Sequence, residues 1–383
     1  MDNTRPRIMT VYGTRPEAIK VAPVIKALEA SDALDSVTVV TGQHREMLDQ
    51  VNKIFGIIPD YDLDIFKHGA SLSTIVARVL ERLDPVLMSE RPAAVVVQGD
   101  TSTSTAAALA AFHQGIPVVH VEAGLRSGNI HSPFPEEANR KITSQIASLH
   151  LAPTTTSRDN LLREGVADDH VVVTGNTVID ALLMTVERKT PFADVELEDL
   201  ADSGRRILLV TTHRRENWGG AMEGVGRALA RLAHAFPDVQ IVLPAHRNPV
   251  VREAVLPHID GLPNVTVTEP LAYGEFTRML SLATVVLTDS GGVQEEAPSL
   301  GKPVLVMREN TERPEAVEAG TVKLIGTDEE RLIDEVATLL SDGSAYQAMA
   351  KASNPYGDGK GAERSLRSIM HSLGLGERPA EYV

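Results

Sequence analysis

Three carboxylates and one histidine stand where an α/β chain would put reactive groups. Asp100 closes the run VVVQGD at 95–100, and Glu122 closes VVHVE at 118–122. Glu136 lies in SPFPEEANR at 132–140, where two prolines define a loop and a helix begins. His213 follows the apolar strand of ILLVTTHRREN at 207–217. Ligands of doubly wound sheets collect beyond the carboxyl ends of strands. Carboxyl groups whose environments separate their proton affinities can remove a proton and return it. Each residue alone also has a plain reading. Asp100 would cap the next helix, which taken alone is the likelier role. Glu122 would pair with Arg126. Glu136 would be an ordinary acidic residue of a first helical turn, and His213 a polar loop residue. With Arg214, His213 facing a phosphate would make a cation–anion site that responds to pH.

Anion-binding features accompany them. The segment 289–307, DSGGVQEEAPSLGKPVLVM, reads as a strand end, a small-residue turn, a helix and a further strand. Ser290, Gly291 and Gly292 let the backbone bend and leave helical N–H groups open to an anion such as a diphosphate. Glu296 follows about one turn later, placed to accept from ribose hydroxyls. A plain glycine-rich turn fits this segment equally well. Near the N-terminus, GTRPEAIK at 13–20 sets Arg15 in the turn after the first strand, Pro16 at the first helical position and Lys20 a turn further on. Both cations suit an anionic group. The alternatives are an Arg15–Glu17 pair and a Lys20 that runs along its helix.

The elements that must position these residues alternate throughout. Strands are expected at Arg7–Tyr12, Ser36–Thr41, Ala94–Gln98, Pro117–Val121, Leu149–Ala152 and Val171–Thr174. A second series covers Arg206–Thr211, Gln240–Leu243, Val265–Thr268, Thr284–Thr288 and Val304–Met307. Amphipathic stretches lie between them, and the acidic segment 190–204 reads as a linker. This is the pattern of α/β parallel sheets. It predicts two Rossmann-like doubly wound domains facing across a cleft, 1–175 and 176–361, with a last helix near 362–383 packing back on the first.

Bulk properties narrow the chemistry. A chain of 383 residues with 43% hydrophobic and 23% charged residues can build two ordinary cores. The net charge of −15 argues against nucleic acid and anionic membranes as partners. The absence of cysteine excludes disulfides, thiolate metal sites and cysteine nucleophiles. No zinc-protease or Walker A motif appears, and the spacing of His213 and Glu216 alone is too sparse for a metal site. Arg5, Arg7 and Arg15 precede any apolar run long enough for a signal peptide, and no segment has the length of a membrane span. A cytoplasmic location is expected.

At these residues the chain closely resembles the non-hydrolysing UDP-N-acetylglucosamine 2-epimerases. The matching segments are GTRPEAIK at 13–20, TGQHREML at 41–48, QGDTST at 98–103 and HVEAGLRS at 120–127, followed by PFPEEANR at 133–140, THRREN at 212–217 and the long stretch 289–316. The resemblance implies a GT-B-like pair of domains, a homodimer, no cofactor and no metal. It implies reversible inversion at C2 of UDP-GlcNAc to UDP-ManNAc, through elimination of UDP to 2-acetamidoglucal and re-addition. By motif position, Asp100, Glu122 and Glu136 match the family's catalytic carboxylates, and His213 the histidine near the diphosphate. Arg15, Lys20, Arg140, Ser290, Gly291, Gly292, Glu296 and Arg313 match substrate-binding positions. Gln43, His44, Arg214 and His246 match a region where some members bind a second UDP-GlcNAc as activator. The segment 66–72, FKHGASL, lacks the Arg-Gln pair associated with that activator, so weakened or absent activation is expected. The alternatives are a hydrolysing epimerase, a GT-B glycosyltransferase and an inactive UDP-sugar binder. The intact acid–base set counts against the last.

Overall fold

The computed structural model describes residues 5–42, 45–66 and 69–382. The chain divides into two compact units, one formed by 1–183 and 356–383, the other by 184–355.

In the first unit the strands are β1 (Arg7–Tyr12), β2 (Asp35–Val40), β3 (Tyr61–Asp62), β4 (Ala94–Gln98), β5 (Val118–Val121), β6 (Leu149–Ala152) and β7 (Val171–Val173). They form one parallel sheet in the order β3-β2-β1-β4-β5-β6-β7. The strands are apolar on both sides, as a sheet covered on both faces requires. Met9, Val11, Val39, Val95 and Val97 join a core with helices Leu72–Glu90 and Ser102–His113. Their neighbours Ile8, Val96, Val119 and Val121 face the other way, onto Val24 and Leu28 of helix Arg15–Glu29 and Ala362 and Ile369 of helix Gly361–Ser372. That last helix belongs to the first unit. Its leading N–H groups, on Gly361 and Ala362, donate to the buried carboxylate of Asp180 at 3.1 and 2.8 Å. Burial pushes that carboxyl up to about 6, the same two bonds pulling against it.

The second unit repeats the scheme with β8 (Arg206–Thr211), β9 (Val239–Pro244), β10 (Val265–Thr268), β11 (Val285–Thr288), β12 (Val304–Val306) and β13 (Val322–Leu324). Its parallel order is β10-β9-β8-β11-β12-β13. Leu208, Val210, Leu243 and Leu287 pack with helices Gly220–Ala235, Pro249–Ile259 and Glu329–Ser341. In both sheets the strand order reverses beside the first strand, so each has a switch point between its first and fourth strands.

Two short edge strands, β3 and β13, go beyond the expected set. The segment 190–204 also differs from the linker expected there, for it contains the helix Val195–Asp202. Asp194 caps that helix by accepting from Glu196 N at 2.9 Å, and Leu197 and Leu200 bury a narrow apolar face. Among the described residues no helix is long and apolar enough to cross a membrane.

Candidate active site

In the first unit the strand ends bring together a carboxylate and three donors. Glu122 follows β5 with φ of 61°, a left-handed conformation that costs a non-glycine residue about 1–2 kcal/mol. Its side chain is only 8% exposed. Lys20 Nζ, from the helix after β1, and Asn176 Nδ2, after β7, both donate to Oε1, the latter at 3.2 Å. Gln98 Nε2, at the end of β4, donates to Oε2. Because β1, β4 and β5 are neighbours in the sheet, groups far apart in sequence converge on one carboxylate. Lys20 therefore serves as an ion-pair partner. Arg126 does not pair with Glu122: it forks onto Glu164 at 3.0 and 2.7 Å, and this bond first of all holds the Glu164 carboxyl down at about 2.

Asp100 differs from the simple cap that its position suggests. Thr101 caps helix Ser102–His113, accepting from Ser104 N at 3.0 Å. The Asp100 carboxylate instead meets Arg140 Nη2 at 2.6 Å and Nε at 2.9 Å. Arg140 also donates to buried Glu137 at 3.0 Å. Burial works against the guanidinium charge, but the two carboxylates outweigh it and raise its pKa. Of the adjacent glutamates, Glu137 is the one held in the structure, accepting from Ser127 N and Gly128 N. Glu136, the first residue of its helix, is half-buried, and among the described residues its carboxylate has no partner.

The loop after β1 is ordered by Glu17, which is buried. Its Oε2 accepts from Gly13 N at 2.9 Å and Thr14 N at 2.7 Å, and its Oε1 from Thr101 Oγ1 at 2.6 Å. Burial pushes this carboxyl up, and the same bonds offset that only in part. Glu17 thus ties the Arg15 turn to the Asp100 turn and does not pair with Arg15. The Arg15 side chain is exposed and makes no pair among the described residues.

The second unit holds the histidine. His213 Nδ1 lies 2.9 Å from Asp289 Oδ1. Asp289 is fully buried and also accepts from Thr212 Oγ1 and from the backbone N–H groups of His213 and Arg214, each at 2.9 Å to Oδ2. Burial pushes the Asp289 carboxyl up, but the His213 and backbone donors overcome that and hold it below the usual range. A carboxylate on Nδ1 fixes the tautomer and leaves Nε2 as the working nitrogen, the logic of an Asp–His pair. Asp289 was not among the candidates read from sequence. Register supplies the missing signal, since Thr211 pairs with Thr288 and the residues just beyond them are side by side.

Basic side chains stand beside this pair and over the turn that follows it. The His246 ring lies 5.9 Å from His213. Arg214 Nε is buried and, among the described residues, has no hydrogen-bond partner. Ser290 precedes the short helix Gly291–Glu296, with its N–H on Thr288 Oγ1 at 2.9 Å. The Arg313 guanidinium lies over Gly291, so closely that a methyl group there would be 2.6 Å from Nη1. Its Nε donates to Glu295 at 2.5 Å. Gly292 is exposed, and the Glu296 carboxylate would lie 3.5 Å from a methyl on it. Chemically, the first unit offers carboxyl groups for proton transfer, and the second a histidine and cations suited to phosphate oxygens. Gln43 and His44 lie outside the described residues.

A family model described as UDP-N-acetylglucosamine 2-epimerase matches residues 26–370. The chain is 52% identical over 372 residues to the UDP-N-acetylglucosamine 2-epimerase of Escherichia coli K12, covering 96% of this chain and 99% of that one. It is similar, with a TM-score of 0.81 and 44% identity, to the crystal structure of UDP-GlcNAc 2-epimerase from Neisseria meningitidis bound to UDP-GlcNAc, over 95% of this chain and all of that one. A glycosyltransferase of kitacinnamycin shares the fold alone, at a TM-score of 0.64 and 13% identity over 97% of this chain and all of that one.

Proposed function

Since the chain belongs to the UDP-N-acetylglucosamine 2-epimerase family, we propose that it interconverts UDP-GlcNAc and UDP-ManNAc by the non-hydrolysing route. In the first half-reaction a base takes the proton from C2, the C1–O bond breaks, and UDP leaves with that bonding pair to give 2-acetamidoglucal. In the second, a UDP oxygen re-forms the C1–O bond, and an acid delivers a proton to C2 from the opposite face. Atoms and charge balance without an oxidant, and two acid–base groups are needed at C2.

The single observation that carries this reading is Glu122. A carboxylate held by Lys20, Gln98 and Asn176 on a left-handed backbone is an oriented proton-transfer group, and its strain is repaid by position. Asp100, oriented by Arg140, and the unpaired Glu136 supply the other carboxyl groups. His213, set by Asp289, bears on the bridging oxygen of departing UDP. Ser290, Gly291 with Arg313 lying over it, and the exposed backbone at Gly292 take the diphosphate, with Glu296 on the ribose. Arg15 and Lys20 add positive charge. His246 lies beside His213 and Arg214 is next to it in sequence, and by resemblance both belong with Gln43 and His44 to an activator region that this chain uses weakly or not at all. We also expect a homodimer in the cytoplasm, a reading that rests on the family resemblance.

Product partition tests the route. Purified protein with UDP-GlcNAc, followed by phosphorus NMR and anion-exchange chromatography, is expected to give UDP-ManNAc with total UDP-sugar conserved. Stoichiometric UDP and free ManNAc would replace this route by the hydrolysing one.

A further inference from the structure

Asn176 is one of three donors to the proposed acid–base carboxylate, and its own surroundings decide which way its amide points. It is 4% exposed and sits just before the helix Thr177–Glu187. Its backbone carbonyl accepts from Ile179 N at 3.0 Å, and its other three polar groups are committed as well. The backbone N–H donates to Tyr356 O at 2.6 Å, Oδ1 accepts from Val178 N at 3.1 Å, and Nδ2 donates to Glu122 Oε1 at 3.2 Å. The next residue, Thr177, donates from Oγ1 to Lys20 O at 2.6 Å. The stretch 176–177 therefore contacts both members of the Lys20–Glu122 pair.

The amide has only one workable orientation. Rotating it by half a turn would set its NH2 against the Val178 N–H and its oxygen against the Glu122 carboxylate. The Val178 N–H therefore fixes the direction of the donor that Glu122 receives. With Lys20 also on Oε1 and Gln98 on Oε2, both oxygens of Glu122 are assigned. Among the described residues, the charged and titratable groups facing this carboxylate include Lys20, from the helix after β1, and the His120 imidazole of β5. Burial first of all keeps that imidazole neutral, at about 4.

We propose that Asn176 is a positioning residue for Glu122: its side-chain amide, locked by the Val178 N–H, holds the carboxylate in the orientation that proton transfer at C2 requires. This rests on the role proposed for Glu122.

Serine and aspartate cap helix N-termini about as well as asparagine, so Asn176→Ser and Asn176→Asp separate capping from positioning. Both keep an oxygen for the Val178 N–H, and neither donates to Glu122 as the amide does. With kcat normalised to UDP-binding sites, N176S is expected to lose about tenfold in kcat and N176D about a hundredfold, the scale of losing a charge-assisted bond and of adding a like charge. KM for UDP-GlcNAc should stay within about threefold, since only the oriented group is disturbed. In N176D the limb of the kcat–pH profile governed by Glu122 should also move to higher pH, because a second carboxylate disfavours ionisation. Wild-type kcat and pH profile per binding site in both variants, whatever their Tm, would overturn the proposal. Glu122→Gln run in parallel separates the two levels. If E122Q turns over normally, the role of Glu122 itself fails; if E122Q is inactive while both Asn176 variants behave as wild type, only the positioning role fails.

Discussion

Replacing Glu122 by glutamine is expected to lower kcat by about 10²–10⁴-fold, the range of a lost general acid or base. Glutamine keeps the length and shape of the side chain but cannot exchange a proton at neutral pH. It also turns one acceptor oxygen into a donor, at a point where Lys20, Gln98 and Asn176 all donate. Affinity for UDP should be nearly unchanged, because the diphosphate-binding residues proposed here belong to the other unit. Isothermal titration with UDP beside initial-rate kinetics with UDP-GlcNAc makes this measurable. Lost turnover with retained UDP binding is the expected pair of results. Turnover within a few-fold of wild type would remove Glu122 from the chemistry.

Asp289→Asn should combine two losses. Asp289 receives Thr212 Oγ1, two backbone N–H groups and His213 Nδ1, with no exposure to water. An asparagine NH2 would meet one of those donors, so we expect a stability loss of about 2–4 kcal/mol in denaturant unfolding. The imidazole would also lose the partner that fixes its tautomer, and kcat should fall by about 10²–10⁴-fold, as for carboxylate-oriented histidines elsewhere. The pH dependence follows from the depressed carboxyl. Its folded pKa lies below its ordinary 3.8, so the folded state binds fewer protons than the unfolded state across that interval. Its stabilisation is therefore complete above about pH 4 and is lost as pH falls through the folded value. The stability gap between wild type and D289N should be full at pH 7 and narrow below pH 4. A constant gap down to pH 2 would contradict the charge-based account.

Much of this was legible in the sequence because the signals were local. Apolar runs such as VVVQ and ILLV give buried parallel strands, and the residue after each run falls where ligands collect. Glu122 and His213 were found in that way. What escaped was non-local or very short. Strand β3 is the dipeptide Tyr61–Asp62, and β13 is Val322–Leu324 with a lysine at its centre, so neither has the apolar run that marks a strand. Glu122 seemed to have its partner four residues away in Arg126, whereas the true partner, Lys20, comes from the helix after β1, at the other end of the unit's chain. Asp289 read as part of a glycine-rich turn, since nothing within 75 residues in sequence links it to His213. Only the pairing of β8 with β11 does so. Taken alone Asp100 reads as a cap, but Thr101, the next residue and chemically as good a one, is the residue that caps. The order of strands, more than any motif, carried the information that was missing.

The central claim is that C2–H is broken and re-formed while UDP departs and returns. Proton NMR of UDP-GlcNAc incubated with the pure protein in D2O, without added metal or cofactor, tests it most directly. The account predicts UDP-ManNAc carrying deuterium at C2. UDP-ManNAc that keeps its original C2 proton, or an unchanged UDP-GlcNAc spectrum, would contradict it.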